Sequence, residues 1–253
     1  RDVLGSRGLG DVYKRQILLL EKQKETNHYQ IQSLPINSGV FCLKKDRFQD
    51  VVWIGTDGQG VYLYSNPLYS IKSMVLSNYT EKIERPVRAI YLDDERTFWV
   101  GTKGNGILKI YDYEFDKNIS DCRAEVLTTS NSALSSNAVY CFAKSHRNLL
   151  WIGDEEGLTY YSYREKRIKS IPIRIGNEDF KYIHDIYETA DSELWLASVG
   201  MGVVKARIAG TPDNPVIVDA QRYIINDGEL GSNYFFTCLL YTSPSPRDPK
   251  TSR

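Results

Sequence analysis

The chain has 253 residues with 32 basic and 32 acidic side chains, so its formal net charge of +0 gives no electrostatic argument for nucleic-acid binding. No apolar run approaches the roughly 20 residues that span a bilayer, and ILLL at 17–20 is only four residues of a predicted strand. The length suits one large all-β domain or part of a bigger one.

The first and last sixteen residues are related in a way that a natural protein has no reason to show. A DNA sequence encoding CLLYTSPSPRDPKTSR at 238–253 can be written so that its reverse complement, read one base out of frame, encodes RDVLGSRGLGDVYKRQ at 1–16. Both segments resemble translated sequencing adapter. We therefore expect residues 1–16 and 238–253 to be artefact, and residues 17–237 to be a metagenomic fragment of an open reading frame cut at both sides.

All four tryptophans occur in one repeated context. The four stretches are VVWIGTDGQGVYLY at 51–64, FWVGTKGNGILKI at 98–110, LLWIGDEEGLTYY at 149–161 and LWLASVGMGVVKA at 194–206. Spacings of 46, 52 and 44 residues separate Trp53, Trp99, Trp151 and Trp195. A strand-rich repeat of this length is typical of β-propeller blades. A β-branched residue stands twelve positions before each tryptophan, or thirteen in the first unit, which predicts a hairpin with one extra turn residue there.

Small residues recur at two fixed positions of the repeat unit. The second position after the tryptophan is Gly55, Gly101, Gly153 or Ala197, where strands are expected to crowd. The turn that follows contains Gly60, Gly106 or Gly202, which we expect to supply a positive φ. The third unit has a shorter turn, in which Gly157 comes one place early. A third strand and a looser fourth strand complete each unit.

In chain order, the pattern predicts the outer half of one blade at about 17–36 and then four four-stranded antiparallel meanders. These blades lie at about 38–84, 85–135, 136–180 and 181–230, and GSNYFFT at 231–237 begins another. A ring cannot close with a cut blade at each end. The expected fold is therefore all-β, an incomplete arc of a larger propeller.

The repeated W-[IVL]-G-T-x-G-x-G-[VIL], with V-x-x-I-[YF]-x-D before it, resembles the two-component regulator propeller repeat. Such repeats form the extracytoplasmic sensor of hybrid two-component systems in polysaccharide-degrading bacteria. The resemblance covers nearly all of 17–237 and implies a periplasmic location. It also implies a histidine kinase further along the full protein, after an immunoglobulin-like coupling domain and a membrane helix.

The sequence patterns that would indicate an active site are weaker than the repeat pattern. Asp93 with Asp94, and Glu155 with Glu156, are adjacent carboxylates, but both pairs fall in predicted hairpin turns, where we expect them to be solvated. The three histidines are isolated and lack paired ligands, so no metal site is predicted. The glycine-rich segments are hairpin turns rather than phosphate-binding loops, and no cofactor is expected. We therefore expect the fragment itself to be non-catalytic.

Candidate ligand-binding residues follow the β-branched residue of each first strand. The same register holds Phe41, Arg88, Tyr140, His184 and Phe236. Of these, Arg88, Tyr140 and His184 have the planar or aromatic groups that suit sugar recognition, and the innermost strands bring them towards a central channel. The alternative, that they only pack between blades, stays open.

The leading hypothesis from the resemblance is a sensor segment that recognises a carbohydrate and relays the signal to a histidine kinase. Its expected partners are an oligosaccharide, the remaining blades and downstream domains of the same chain, and a second copy in a homodimer, but not nucleic acid. Two alternatives stay open: a polysaccharide-active propeller enzyme and a protein-binding scaffold propeller.

Overall fold

The structure is a computed structural model that describes residues 17–22, 29–65, 67–68, 70–74, 85–116 and 121–223. Both adapter-like ends and the predicted strand GSNYFFT lie outside these residues. The described residues form twenty β-strands and no α-helix. They divide into two compact units at the bond between Val126 and Leu127.

The first unit contains a two-stranded hairpin and two four-stranded sheets. The hairpin joins β1 (Leu18–Lys22) and β2 (Tyr29–Ser33). Blade A is β3 (Val40–Lys45), β4 (Val51–Thr56), β5 (Val61–Ser65) and β6 (Ser70–Met74). Blade B is β7 (Val87–Leu92), β8 (Thr97–Thr102), β9 (Ile107–Tyr111) and β10 (Ala124–Leu127). Each blade is a meander in which strands adjacent in sequence are adjacent in the sheet.

The second unit repeats this plan. Blade C is β11 (Val139–Lys144), β12 (Leu149–Asp154), β13 (Leu158–Ser162) and β14 (Arg167–Ile171). A short hairpin of β15 (Arg174–Ile175) and β16 (Glu178–Asp179) follows. Blade D is β17 (Ile183–Glu188), β18 (Glu193–Ser198), β19 (Gly202–Thr211) and β20 (Asn214–Tyr223). The all-β fold class with four-stranded antiparallel blades is confirmed.

The turn between the first two strands has the length that the tryptophan spacing predicted. In blade A five residues separate β3 from β4, and the amide of Asp46 donates to the carbonyl of Val51 at 2.9 Å. In blade B four residues separate the strands, and Asp93 donates to Thr97 at 3.0 Å. The extra residue of the first unit therefore lies in this turn.

Each tryptophan is the third residue of the second strand of its blade. Trp53 lies between the sheets of the first unit, with its ring stacked on Phe98 of blade B at 3.7 Å between centroids. Trp53, Trp99 and Trp151 are buried, while Trp195 of blade D is half-buried. A large flat ring buries much apolar surface, so Trp53 contributes strongly to the packing between blades A and B.

Gly153, at the second position after Trp151, prevents a clash with the backbone of the next blade. A Cβ built on Gly153 would lie 2.6 Å from the carbonyl oxygen of Ile183 and 2.5 Å from the Sγ of Cys141. Gly60 in the turn of blade A has φ 73°, where a side chain is strained. The two glycine roles that the sequence predicted are therefore distinct: one allows close approach, and the other allows a left-handed turn.

Candidate functional site

The candidate residues of the first strands share an unusual backbone position. In every blade the pairing of the first strand with the second strand slips by one residue, so that one first-strand residue has no partner across the ladder. The four bulge residues are Phe41, Arg88, Tyr140 and His184. Bulges of this kind re-aim a side chain away from the regular sheet surface. The three residues named from sequence therefore lie at equivalent, irregular points of the fold.

In the first unit the bulge residues of blades A and B contact each other. The guanidinium carbon of Arg88 lies 3.8 Å from the centroid of the Phe41 ring, a cation–π distance. The Phe41 side chain remains 36% exposed. The Nε of Arg88 is buried and has no hydrogen-bond partner among the described residues.

In the second unit the equivalent residues of blades C and D are also in contact. The rings of Tyr140 and His184 are stacked, with centroids 4.1 Å apart and an interplanar angle of 15°. Both side chains are half-buried. Each unit thus presents a pair of stacked bulge residues with a planar polar group, which is the type of group that orients small polar ligands.

A cysteine directly follows the bulge residue in blades A and C. Cys42 comes directly after Phe41, and its Sγ lies 3.8 Å from the carbonyl oxygen of Val87 in blade B. Cys141 comes directly after Tyr140, and its Sγ lies 3.6 Å from the carbonyl oxygen of Ile183 in blade D. Each thiol therefore joins its own bulge to the residue that precedes the next bulge.

Burial governs the chemistry of both thiols. Desolvation raises the pKa of Cys42 to about 12, against a smaller opposing effect of a backbone hydrogen bond from Gly55 and the charge of Arg88. Burial likewise raises the pKa of Cys141 well above its ordinary value. Both thiols stay protonated at neutral pH and act as weak donors rather than nucleophiles.

The prediction that Asp93 is a solvated turn acid is wrong. Its side chain is 1% exposed, and its Oδ1 accepts from the amides of Glu95 at 3.0 Å and Thr97 at 2.7 Å. Its Oδ2 accepts from the indole Nε1 of Trp99 at 2.9 Å. The Asp93 carboxylate therefore links the backbone of its turn to the side chain of Trp99. Asp94 is exposed, as expected.

The second predicted pair of turn acids is half-buried at Glu155 and exposed at Glu156. Glu156 pairs with the ammonium group of Lys181 at 2.5 Å between Nζ and Oε2. Among the described residues, no group of three or more His, Cys, Asp or Glu side chains is arranged to hold a metal ion. No helix within the described ranges is long and apolar enough to cross a membrane.

Sequence reasoning placed the bulge residues in one register but missed their contacts. Nothing in the pattern showed that Phe41 would stack on Arg88 or Tyr140 on His184, because a stack depends on how one blade is turned against the next. A recurring aromatic or planar residue directly after the β-branched position was the available signal. The unpaired Nε of Arg88 had no sequence signal at all.

Solved structures similar to this chain include parts of a bacterial surface protein and of a bacterial signalling protein. The extracellular domain of a proposed hybrid two-component system of B. thetaiotaomicron is 22% identical, with 88% of this chain and 29% of that chain covered and a TM-score of 0.58. PorZ, a surface component of the type-IX secretion system of Porphyromonas gingivalis, is 14% identical, with coverages of 79% and 29% and a TM-score of 0.57.

The propeller domain of Cps50 (Swd1) from Myceliophteria thermophila is similar over 76% of this chain and 62% of its own, at 13% identity and a TM-score of 0.51. These likenesses show a β-propeller fold. The chain spans less than a third of the length of the first two of these structures.

Comparison by sequence gives a different kind of match. No protein-family model matches the chain. Translation initiation factor 6 of Saccharolobus solfataricus is 31% identical over 140 residues, which cover 50% of this chain and 57% of that protein. The chain thus spans little more than half the length of this curated relative, and the similarity covers less of the chain than the propeller likenesses do.

Proposed function

We propose that this chain is a segment of an extracytoplasmic, periplasmic propeller sensor of a two-component signalling protein, that it recognises a carbohydrate, and that it relays binding to a histidine kinase. The observation that carries the proposal is the contrast between framework and bulge positions. From blade to blade the tryptophan recurs and the neighbouring glycine is kept or becomes alanine, while the bulge residue changes from Phe to Arg to Tyr to His.

A recognition surface needs a rigid support and side chains of varied chemistry. Here the support is the repeated hairpin with its buried tryptophan, and the varied side chains stand on the innermost strands. Phenolic, imidazole and guanidinium groups combine a flat apolar face with hydrogen-bonding edges, which suits the alternating apolar faces and hydroxyls of sugars. A purely structural bulge has no physical reason to differ in this way between blades.

The likeness to the extracellular domain of a proposed hybrid two-component system supports the sensor class through its fold. The periplasmic location, the kinase and the sugar are parts of the proposal rather than consequences of that likeness. In the intact protein, the remaining blades and the downstream domains would carry the signal onward.

The test is a binding screen of the 253-residue chain against neutral, uronate-bearing and sulfated oligosaccharides, followed by calorimetric titration of each compound that binds. We expect binding to weaken at least about tenfold in Tyr140→Ala and in His184→Ala, because each variant removes one partner of the stacked pair. Tyr187→Ala is the matched control, since Tyr187 is an exposed tyrosine of the same blade as His184, outside the bulge.

Failure of every saccharide to bind would contradict carbohydrate recognition. Cleavage of a bound saccharide by the chain would instead identify a polysaccharide-active propeller enzyme. For the relay, we expect a bound saccharide to change autophosphorylation of the intact protein, and the effect should disappear in Tyr140→Ala.

A further inference from the structure

Arg88 and Arg47 have different surroundings in the first unit. Arg47, in the turn of blade A, is used structurally: its Nη1 donates to Asp94 at 2.7 Å, and its Nη2 donates to the carbonyl of Leu92. The guanidinium of Arg88 instead lies over the Phe41 ring, and its buried Nε has no hydrogen-bond acceptor among the described residues.

Burying the Nε of Arg88 without a hydrogen-bond partner destabilises the folded protein. A buried N–H without an acceptor destabilises a folded protein, and native structures contain few such groups. The cation–π contact with Phe41 offsets this cost only in part. Residues that break a local rule without stabilising the fold tend to mark functional sites.

The stacked geometry also determines which atoms a ligand can reach. Phe41 lies against one face of the guanidinium and the Nε is buried, so a ligand arriving from solvent would engage the two terminal nitrogens. A pair of terminal N–H groups in one plane matches the two oxygens of a carboxylate or two oxygens of a sulfate. Phe41 is itself 36% exposed, so its ring can offer an apolar surface to a sugar ring.

The adjacent thiol supplies no counter-charge. Cys42, the titratable group of this site on which Arg88 acts electrostatically, is a neutral thiol because burial raises its pKa to about 12. The positive charge of Arg88 is therefore not neutralised by the cysteine beneath it at any physiological pH. An anionic group arriving from solvent would provide the missing charge.

We infer that Arg88, held against Phe41 at the bulge of blade B, binds an anionic group of the ligand, either the carboxylate of a uronic acid or a sulfate ester. The ligand class is therefore an acidic saccharide. This inference rests on the proposed carbohydrate recognition and names the chemistry of its site in the first unit.

The test compares charged and uncharged forms of the same sugars on the full chain. Trigalacturonate and its methyl ester separate recognition of a carboxylate from recognition of the ring, and glucose 6-sulfate against glucose does the same for a sulfate. We expect the charged form to bind about ten- to a hundredfold more tightly than its neutral counterpart, as charge-assisted hydrogen bonds require. This difference should shrink as salt concentration rises.

The arginine variants locate the effect. Arg88→Gln should remove the preference for the charged form, and Arg88→Lys should keep part of it, since lysine keeps the charge but loses the planar pair of donors. Arg96→Gln is the matched control, because Arg96 also lies over a phenylalanine, Phe48, at 4.9 Å, but in an exposed turn. A residue that only supported the fold would lower the melting temperature when replaced, whereas we expect Arg88→Gln to leave it nearly unchanged.

The outcomes separate the two proposals. Equal binding of charged and neutral sugars, or a charge preference that survives in Arg88→Gln, overturns the anionic site and leaves carbohydrate recognition standing. Binding of no saccharide, charged or neutral, overturns both. A large loss of stability in both Arg88→Gln and Arg88→Lys would show that the side chain is structural, which also overturns the inference.

Discussion

The indole Nε1 of Trp151 in blade C donates to the Oε2 of Glu188 in blade D at 2.7 Å, across the boundary between two blades. Glu188 is buried, and the same oxygen accepts from the amide of His146 at 3.2 Å. In blades A and B the equivalent indole is held by an acid of its own turn, Asp46 or Asp93, at 2.9 Å in each case. In blade C the turn position is Ser145, whose short side chain bonds the amide of Arg147 at 3.0 Å, and the next blade supplies the carboxylate.

Replacing Glu188 with alanine should destabilise the chain by about 2–3 kcal/mol, because the indole N–H and the turn amide would both lose their acceptor in a buried site. Urea unfolding monitored by tryptophan fluorescence measures the change. Glu193→Ala is the control. Its carboxylate pairs with Lys205 at 2.8 Å in a partly exposed position, and its loss should cost less than about 1 kcal/mol. Equal effects of the two variants would contradict this role of Glu188.

The blade comparison also predicts a rescue. Adding Ser145→Asp to Glu188→Ala should restore at least about 1 kcal/mol, since an aspartate at that turn position accepts the indole N–H in blades A and B. The same Ser145→Asp change in the native background should not stabilise, because two carboxylates would then compete for Trp151. Additive effects of the two substitutions would argue against a shared hydrogen-bonding role.

Gly153→Ala should destabilise blade C by about 1–3 kcal/mol through overpacking. The new Cβ would meet the Cys141 Sγ at 2.5 Å and the Ile183 carbonyl oxygen at 2.6 Å. Adding Cys141→Ala should recover little, since the clash with backbone remains. Thermal unfolding of the single and double variants gives the comparison.

Gly55 provides the matched case in blade A. Its added Cβ would meet only side chains at the closest distances, the Cys42 Sγ at 2.5 Å and the Val87 Cγ1 at 2.7 Å. We therefore expect Cys42→Ala to rescue Gly55→Ala more fully than Cys141→Ala rescues Gly153→Ala. Equal rescue at the two sites would show that the backbone at Ile183 moves easily to accommodate the added methyl group.

Cys42 and Cys141 should resist alkylation in the folded chain. Burial raises the pKa of both thiols, to about 12 for Cys42, so almost no thiolate forms at pH 8. We expect iodoacetamide to label each at less than about one-hundredth of the rate in the urea-unfolded chain. Peptide mapping by mass spectrometry measures both rates, and rapid labelling of folded Cys42 would contradict the raised pKa of this half-buried thiol.

Asp154 should make stability depend on pH. Burial raises its pKa above 3.8, although hydrogen bonds from Ser135, Glu156, Gly157 and Thr159 oppose this. Because the folded pKa is the higher one, the associated stabilisation is complete below the unfolded pKa and is lost as pH rises through the folded value. The free energy of unfolding of the native chain, relative to Asp154→Asn, should therefore increase as pH falls from 7 towards 4. A pH-independent difference would contradict the raised pKa.

The sequence by itself determined the repeated elements of this protein. The tryptophan context, the glycine positions and the spacing from the β-branched residue predicted the hairpins, the order of strands and even the extra turn residue of blade A. These features follow from local rules: alternation sets the strand faces, and turn geometry requires glycine where φ is positive. The four bulge residues were named from the same register, without the bulge itself being predicted.

Only the tertiary structure decided how one blade meets the next. The contact of Trp151 with Glu188 and the stacking of Arg88 on Phe41 join residues that no local pattern relates. Each depends on the angle and distance between two sheets, which the summed packing of many side chains sets. An indole N–H can be satisfied by an acid of its own turn, as at Trp99, and this contact is local. At Trp151 the acid comes from the next blade, and only the placement of that blade brings Glu188 within hydrogen-bonding distance.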